Sequence, residues 1–148
     1  MKDSIKELIR LEVEAIQNIP VNDSFEQAVR LIKNYVHDIP SNGKVVLSGM
    51  GKCGQIALNI ATTLSSTGTP SVYLHPSEAQ HGDLGVLCKH DVLILLSNSG
   101  KTREIIELIT LSRILQPSVR LMKKIGFTKK EYSKRHHSGY LGQKSKEE

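Results

Sequence analysis

Apolar residues recur at helical spacing in two segments at the start of the chain. They cover residues 5–16 and 25–36, and the second segment follows Asp23 or Ser24, either of which is a suitable N-cap. Each segment ends shortly before a proline, which a helix does not tolerate in its interior. We predict two helices. Two core helices are the simpler interpretation, and packing on a partner subunit or over a site is the alternative.

Beyond residue 43 the pattern changes to short apolar runs separated by helical segments. The runs at 45–47, 71–74 and 92–96 predict strands. Residues 56–66 predict a helix between the first two strands, and residues 105–111 predict another helix after the third. Continuous apolar strands are typical of parallel sheets that are buried on both faces. The sequence therefore predicts an α/β fold, a Rossmann-like parallel sheet between two layers of helices.

Three other segments give a weaker pattern. Residues 75–85 are polar with a short helical centre, and residues 119–122 predict either a fourth strand or the start of a helix. Residues 136–139 predict a loop. The pattern thus becomes harder to interpret after Pro117.

A glycine turn (residues 48–54) follows the first strand. Gly49, Gly51 and Gly54 fit G-x-G-x-x-G, which permits a sharp turn and close approach to the N–H groups of the next helix. No acidic residue follows about 20 positions later to bind a ribose hydroxyl, so a dinucleotide is disfavoured. Lys52 suits a phosphate or a substrate oxygen, although a solvated lysine in a plain turn accounts for the same pattern. Ser48 ends the strand and begins this turn.

A serine loop (residues 97–102) follows the third strand. A helix N-cap requires one hydroxyl or amide side chain, but this loop has four such side chains before the next helix, so we favour a phosphate site over a simple cap. In a parallel sheet, this loop and the glycine turn lie at the same edge, where ligands bind. Its residues are Ser97, Asn98, Ser99, Gly100, Lys101 and Thr102.

Composition excludes several classes of protein. Hydrophobic residues make up 39% and charged residues 24% of the 148 positions, as in globular domains, and no apolar run approaches the length of a membrane helix. The charged N-terminus is unlike a signal peptide. Cys53 and Cys88 are too few for a disulfide scaffold or zinc site. We therefore expect a cytoplasmic protein that needs no cofactor and no membrane.

The net charge of +5 is concentrated near the C-terminus. From Arg113 onward there are ten lysines or arginines and three acidic residues. A basic tail suits nucleic acid, but this one has few interleaved aromatic residues. We expect no nucleic acid partner, and attraction for phosphorylated metabolites is the better interpretation.

Several motifs, taken together, resemble one family. In order and spacing, residues 45–111 resemble the sugar isomerase (SIS) domain, in particular the bacterial arabinose 5-phosphate isomerases of the Kdo pathway. The segment 126–142 is similar to the end of that isomerase domain. The matching motifs are Gly49-Met50-Gly51-Lys52-Cys53-Gly54, Ser66-Thr67-Gly68-Thr69-Pro70, His75-Pro76-Ser77-Glu78-Ala79, His81-Gly82-Asp83-Leu84-Gly85 and Ser97-Asn98-Ser99-Gly100.

The resemblance implies roles for individual residues. It places Lys52, Glu104 and His136 at catalytic positions, with His136 in base or ring-opening proton transfer, Lys52 as the cation and Glu104 as an acid or base. The substrate-binding positions would be Ser48, Gly49, Gly51, Gly68, Thr69, His81, Ser97, Asn98, Ser99, Gly100 and Thr102. His75 is where members can bind an inhibitory metal. From the residues alone, each has a plain structural alternative, such as a favourable charge near a helix end for Glu104.

The implied reaction is aldose–ketose isomerisation of D-arabinose 5-phosphate and D-ribulose 5-phosphate through an enediol, supplying Kdo for lipopolysaccharide or capsule. The alternative is a non-catalytic phosphosugar-binding module. Two departures bear on this choice: no pair of cystathionine-β-synthase modules follows, and a segment the family carries has no match between residues 117 and 122. This predicts a sheet shortened at one edge, association into a homo-oligomer (dimer or tetramer), and isomerase activity that is weak or absent.

These boundaries define the expected domain organisation. Residues 1–40 form N-terminal helices, residues 41–142 a truncated SIS domain, and residues 143–148 a frayed tail.

Overall fold

The computed structural model describes residues 1–38 and 43–115, together with the backbone of residues 120 and 121. Within these residues the strands form one parallel sheet with the order β2-β1-β3-β4. The strands are β1 (Val45–Gly49), β2 (Ser71–Tyr73), β3 (Val92–Leu96) and β4 (Arg120–Leu121). The predicted parallel α/β fold is confirmed, and residues 120 and 121 form a strand, which is one of the two alternatives for this segment.

Helices precede and connect these strands. Among the described residues, no helix is both long enough and apolar enough to cross a bilayer. The helices are α1 (Lys2–Gln17), α2 (Asp23–Ile32), α3 (Lys52–Ser66), α4 (Pro76–Ala79) and α5 (Arg103–Leu115). The chain leaves α2 through a π-helical turn (Lys33–His37), and a 3-10 turn (Asp83–Val86) follows α4, so the polar segment 75–85 does contain the short helical centre that its sequence predicts.

The sheet is buried on both faces, which explains its unbroken apolar strands. Successive side chains of a strand point to opposite faces. Val46 of β1 belongs to one core cluster with Leu108 of α5, whereas Leu47 belongs to another with Ala57 of α3. All four side chains are fully buried. The domain therefore has the three layers predicted from the sequence.

A buried acid fixes the amino edge of the sheet. The Asp91 carboxylate accepts hydrogen bonds from the Lys44 N–H at 2.9 Å, the Lys44 Nζ at 2.7 Å and the Cys88 N–H at 2.8 Å. Asp91 directly precedes β3 and is 1% exposed, and Lys44 directly precedes β1. Asp91 thus joins β1 and β3 where the two strands begin. The loops that follow these strands lie at the opposite, carboxyl edge of the sheet.

The two N-terminal helices are not core helices. Neither α1 nor α2 contains a buried residue. On this side of the sheet, Ile32 at the end of α2 packs partly buried against the core, and the first buried side chain is that of Val36 in the π-helical turn. The simpler interpretation of the sequence is therefore wrong for α1, whose residues are all exposed within the described ranges, and α2 meets the core only at its C-terminal end.

Candidate functional site

The glycine turn is compact because two of its glycines meet. A Cβ placed on Gly54 would lie 2.5 Å from the Gly49 carbonyl oxygen, and one on Gly49 would lie 2.8 Å from the Cys53 carbonyl carbon. Gly51, between them, has a φ of 55° and is the N-cap of α3. Only glycine adopts this conformation at little cost. The backbone therefore passes from strand to helix by the shortest route, and the start of α3 lies at the strand end.

Tyr73 holds this turn from the neighbouring strand. Its hydroxyl donates a hydrogen bond of 2.9 Å to the carbonyl oxygen of Gly49. Burial raises the pKa of the Tyr73 hydroxyl, so the group stays protonated and remains a donor. This role was not predicted from the sequence. The available signal was a single tyrosine at the end of a predicted strand, and its contact with Gly49 depends on the strand pairing.

We expect Gly54→Ala to lower the free energy of unfolding by about 2 kcal/mol. Overpacking costs about 1–3 kcal/mol, and we expect the upper end here because the Cβ would meet a backbone oxygen at 2.5 Å. The gain in helix propensity, about 1 kcal/mol, offsets part of that cost and leaves about 2 kcal/mol. Chemical denaturation measures the change. Gly85→Ala is the matched control, because a Cβ there meets nothing within 4 Å and its φ is not positive, so a change within about 0.5 kcal/mol is expected. Equal stability of the two variants would contradict the close approach.

Lys52 is the first residue of α3, and its side chain is exposed at the end of the glycine turn. It forms no ion pair with any residue that the structure describes. The first turn of α3 contains no acidic residue, and no side chain caps it. The positive end of the helix dipole and the lysine therefore act together on the same region of space.

Ser48 lies beneath the turn and away from solvent. It is fully buried, and its Oγ has no hydrogen-bond partner among the described residues. Because the Ser48 side chain is buried, a substrate cannot reach it in this conformation. The assignment of Ser48 to substrate binding stays a prediction.

The serine loop is shaped by its own hydroxyls. Ser97 Oγ accepts the Gly100 N–H at 3.1 Å and lies 3.3 Å from Thr102 Oγ1, while Ser99 Oγ accepts the Lys101 N–H at 3.1 Å. Gly100 has a φ of 65°. Asn98, Ser99, Gly100 and Lys101 are exposed. The hydroxyl side chains that the sequence suggested as phosphate ligands therefore form hydrogen bonds within the loop. These bonds shape the loop into an exposed turn that precedes α5.

Strand register brings the two loops together. Gly49 of β1 pairs with Leu96 of β3, so the glycine turn and the serine loop leave the sheet at the same level of adjacent strands. Glu104 lies in the first turn of α5, directly after the serine loop, and is half-buried. Lys52 and Glu104 therefore lie in the first turns of α3 and α5, at the same edge of the sheet.

Gly68 and Thr69 lie at the opposite edge. They precede β2, where the Pro70 carbonyl oxygen accepts the Val45 N–H at 2.8 Å at the start of β1. Val45 is four residues from Gly49 along the strand, which corresponds to about 13 Å. Thr69 Oγ1 is instead 3.2 Å from His37 Nε2. Within one chain, the structure does not bring these two residues to the loops, and their role in substrate binding stays a prediction.

The histidines follow β2 at the carboxyl edge. His75 is half-buried, its ring lies edge-on to Tyr73 with 6.3 Å between centroids, and its Nδ1 is buried without a partner among the described residues. His81 is exposed after α4. The described part of the chain contains no group of three or more His, Cys, Asp or Glu side chains that could hold a metal ion, and the assignment of His75 to an inhibitory metal stays a prediction. His136 lies outside the described residues.

The arrangement is that of a small-molecule site in a parallel α/β domain, with two loops and two charged side chains at one sheet edge. Comparison with known proteins agrees. Residues 39–134 match the SIS domain family. The chain is 43% identical over 114 residues to the arabinose 5-phosphate isomerase KdsD of Pseudomonas aeruginosa, covering 76% of this chain and 33% of that protein.

Solved structures agree with the same assignment. A protein of Bacteroides fragilis, assigned as a phosphosugar isomerase involved in capsule formation, is 59% identical with a TM-score of 0.78, over 82% of this chain and 62% of that one. An Escherichia coli CFT073 protein in complex with arabinose 5-phosphate is 37% identical with a TM-score of 0.66, over 80% and 61%. This chain belongs to the SIS domain family. It spans about a third of the length of the curated relatives that it matches.

Proposed function

We propose that this chain is the isomerase domain of an aldose–ketose isomerase that interconverts D-arabinose 5-phosphate and D-ribulose 5-phosphate. The observation that carries the proposal is the pairing of Gly49 with Leu96, which puts the glycine turn beside the serine loop. Relatives named arabinose 5-phosphate isomerase and the neighbour in complex with arabinose 5-phosphate support the choice of substrate.

The charge at the start of α3 supports a functional role for Lys52. A cation at a helix N-terminus opposes the helix dipole and destabilises the helix by a few tenths of a kcal/mol to about 1 kcal/mol. Glu104 is different, because an acid in the first turn of α5 stabilises that helix. Helix stability therefore does not explain why a lysine is found at position 52. An anionic ligand, or a negative charge that develops during a reaction, does explain it.

The reaction needs proton transfer and a cation near the carbonyl oxygen. In the aldose, a base removes the proton from the carbon next to the carbonyl, and an enediol forms; a proton then adds to the former carbonyl carbon to give the ketose. We assign Lys52 to stabilising the charge on the oxygen, Glu104 to acid/base or hydroxyl-orienting contact, and His136 to base or ring-opening proton transfer. No oxidant, reductant or cofactor is required, because the change is internal to the sugar.

The serine loop suits the phosphate group. Its exposed residues stand in front of the N-terminus of α5, a 13-residue helix whose dipole favours an anion. Phosphate contacts made alike in ground and transition states hold the substrate without accelerating the reaction. We therefore assign binding of the substrate mainly to the serine loop, and acceleration of the reaction mainly to Lys52, Glu104 and His136.

The proposal extends to the setting of the protein. The enzyme acts in the cytoplasm as a homo-oligomer, and its product supplies Kdo for lipopolysaccharide or capsule. The expected partner is a small phosphosugar, and no nucleic acid is involved. The alternative is a non-catalytic phosphosugar-binding module. Measured isomerase activity would exclude it, and binding without activity would support it.

Thermal unfolding tests the binding part of the proposal. At 100 times its dissociation constant, D-arabinose 5-phosphate adds about 2.7 kcal/mol, which for a domain of this size raises the Tm by roughly 5–10 °C. Free D-arabinose at the same concentration is expected to shift the Tm by less than about 1 °C.

Inorganic phosphate is the second control in this experiment. A partial shift with phosphate alone supports a phosphate subsite at the serine loop. Equal shifts with arabinose and its 5-phosphate, or no shift with either, would contradict a phosphosugar site. A shift with arabinose 5-phosphate without any conversion to ribulose 5-phosphate would favour the binding module.

A further inference from the structure

The ladder between β1 and β2 stops before the end of β1. The Leu47 carbonyl oxygen accepts the Leu74 N–H at 2.9 Å. Partners in a parallel ladder recur at every second residue, so the next bond would run from the N–H of residue 76 to the carbonyl oxygen of Gly49. Residue 76 is a proline, which has no N–H to donate. On the β2 side, the last carbonyl group of β1 therefore needs a donor other than the backbone.

The Tyr73 hydroxyl supplies the donor that the proline cannot supply. It donates a hydrogen bond of 2.9 Å to the Gly49 carbonyl oxygen. The same hydroxyl lies close to the start of α3, because a Cβ on Gly54 would be 2.8 Å from the Tyr73 Oη. Gly49 is the last residue of β1, and Gly54 is the third residue of α3. One hydroxyl therefore lies against both ends of the glycine turn.

Neighbouring groups hold the Tyr73 side chain in this orientation. Its ring packs partly buried against the core on the α3 side of the sheet, and the ring of His75 meets it edge-on. The carbonyl group that it binds lies three residues before Lys52, and Gly51 between them is the N-cap of α3. The position of the first turn of α3, and with it that of Lys52, therefore depends on where Tyr73 holds Gly49.

We propose that Tyr73 is a positioning residue for Lys52, and that its hydroxyl fixes the glycine turn so that the lysine stays at the carboxyl edge of the sheet. The effect on rate rests on the proposed isomerase activity, whereas the hold on the turn does not. Phenylalanine at position 73 would keep the ring packing and remove the hydroxyl alone. A displaced Lys52 weakens contacts made in the transition state more than those that bind the phosphate, so the loss should appear in kcat and not in KM.

Alkylation of Cys53 tests the hold on the turn without any need for activity. Cys53 is the second residue of α3 and is half-buried, so its thiol should react faster when the turn opens. In a Cys88→Ala background, Tyr73→Phe is expected to raise the rate of alkylation by iodoacetamide at least about fivefold. Mass spectrometry of the intact protein over time measures this rate.

The matched control removes a tyrosine hydroxyl at the opposite edge of the sheet. The ring of Tyr35 stacks on that of His90, which lies two residues before β3 and so at the amino edge. Tyr35→Phe in the same background is expected to change the alkylation rate less than about twofold. An unchanged rate in Tyr73→Phe, or equal increases in the two variants, would overturn the proposal.

Steady-state kinetics with D-arabinose 5-phosphate test the role through Lys52. Tyr73→Phe is expected to lower kcat about tenfold and to change KM less than about twofold, because misplacing a catalytic group by about 1 Å costs up to about 100-fold. In a Lys52→Ala background the same substitution should change kcat less than about twofold, since the group that it positions is absent.

The double variant separates positioning from a general structural role. A tenfold fall in both backgrounds, or an unchanged kcat in Tyr73→Phe alone, would contradict a role through Lys52. An absence of turnover in the parent would contradict the isomerase proposal only. In that case the alkylation rates of Cys53 would still decide whether the Tyr73 hydroxyl holds the turn.

Discussion

Replacing Asp91 with alanine is expected to lower the free energy of unfolding by about 3–5 kcal/mol. The substitution removes a buried carboxylate and leaves the N–H groups of Lys44 and Cys88 without their acceptor. Each unsatisfied buried donor costs about 1–3 kcal/mol, and breaking a buried ion pair costs a similar total. Chemical denaturation of the variant and the parent measures the change.

The matched control is an exposed ion pair with nearly the same geometry. Glu26 pairs with Arg30 at 2.6 Å, close to the 2.7 Å between Asp91 and Lys44 Nζ, but both of its side chains are exposed. Glu26→Ala is expected to change stability by less than about 0.5 kcal/mol. If the two alanine variants lose the same stability, burial is not what gives Asp91 its effect.

The sequence predicts the framework well because apolar patterning reports burial directly. β1 begins with an apolar run and β3 is apolar throughout. The structure buries the side chains of residues 45–47 and 92–93 between two layers and partly buries those of residues 94–96. Gly49, Gly51 and Gly54 are recognisable as a turn because three closely spaced glycines between a strand and a helix favour a sharp reversal of the backbone. The serine loop is recognisable in the same way, since its hydroxyl side chains fall between β3 and a helical pattern.

Features that depend on pairing in three dimensions were not predicted. Tyr73 contacts Gly49 because β2 pairs with β1, which no pattern along one strand reveals. The position of Gly68 and Thr69 follows from topology, since a segment that leads into a parallel strand lies at the amino edge. Periodicity gave α1 an apolar face, but it did not decide whether the core, a partner subunit or a site covers that face.

We expect Lys52→Ala to lower the rate of isomerisation by about 100- to 1000-fold. Removing one group that stabilises a developing oxyanion has effects of this size in other enzymes. The same substitution removes a cation from the positive end of α3, so it should leave stability unchanged or raise it by a few tenths of a kcal/mol. Loss of rate without loss of stability would therefore separate catalysis from folding.

Proton exchange in deuterated water tests the proposed isomerase mechanism most directly. Incubation with D-arabinose 5-phosphate is expected to introduce deuterium at the carbon next to the carbonyl, because enediol formation exposes that position to solvent even where product is scarce. Exchange should fall about 100-fold or more in Lys52→Ala, and also fall in Glu104→Gln and His136→Ala. Exchange that continues at the parent rate in all three variants, or an absence of exchange in the parent despite binding of the phosphosugar, would contradict the mechanism.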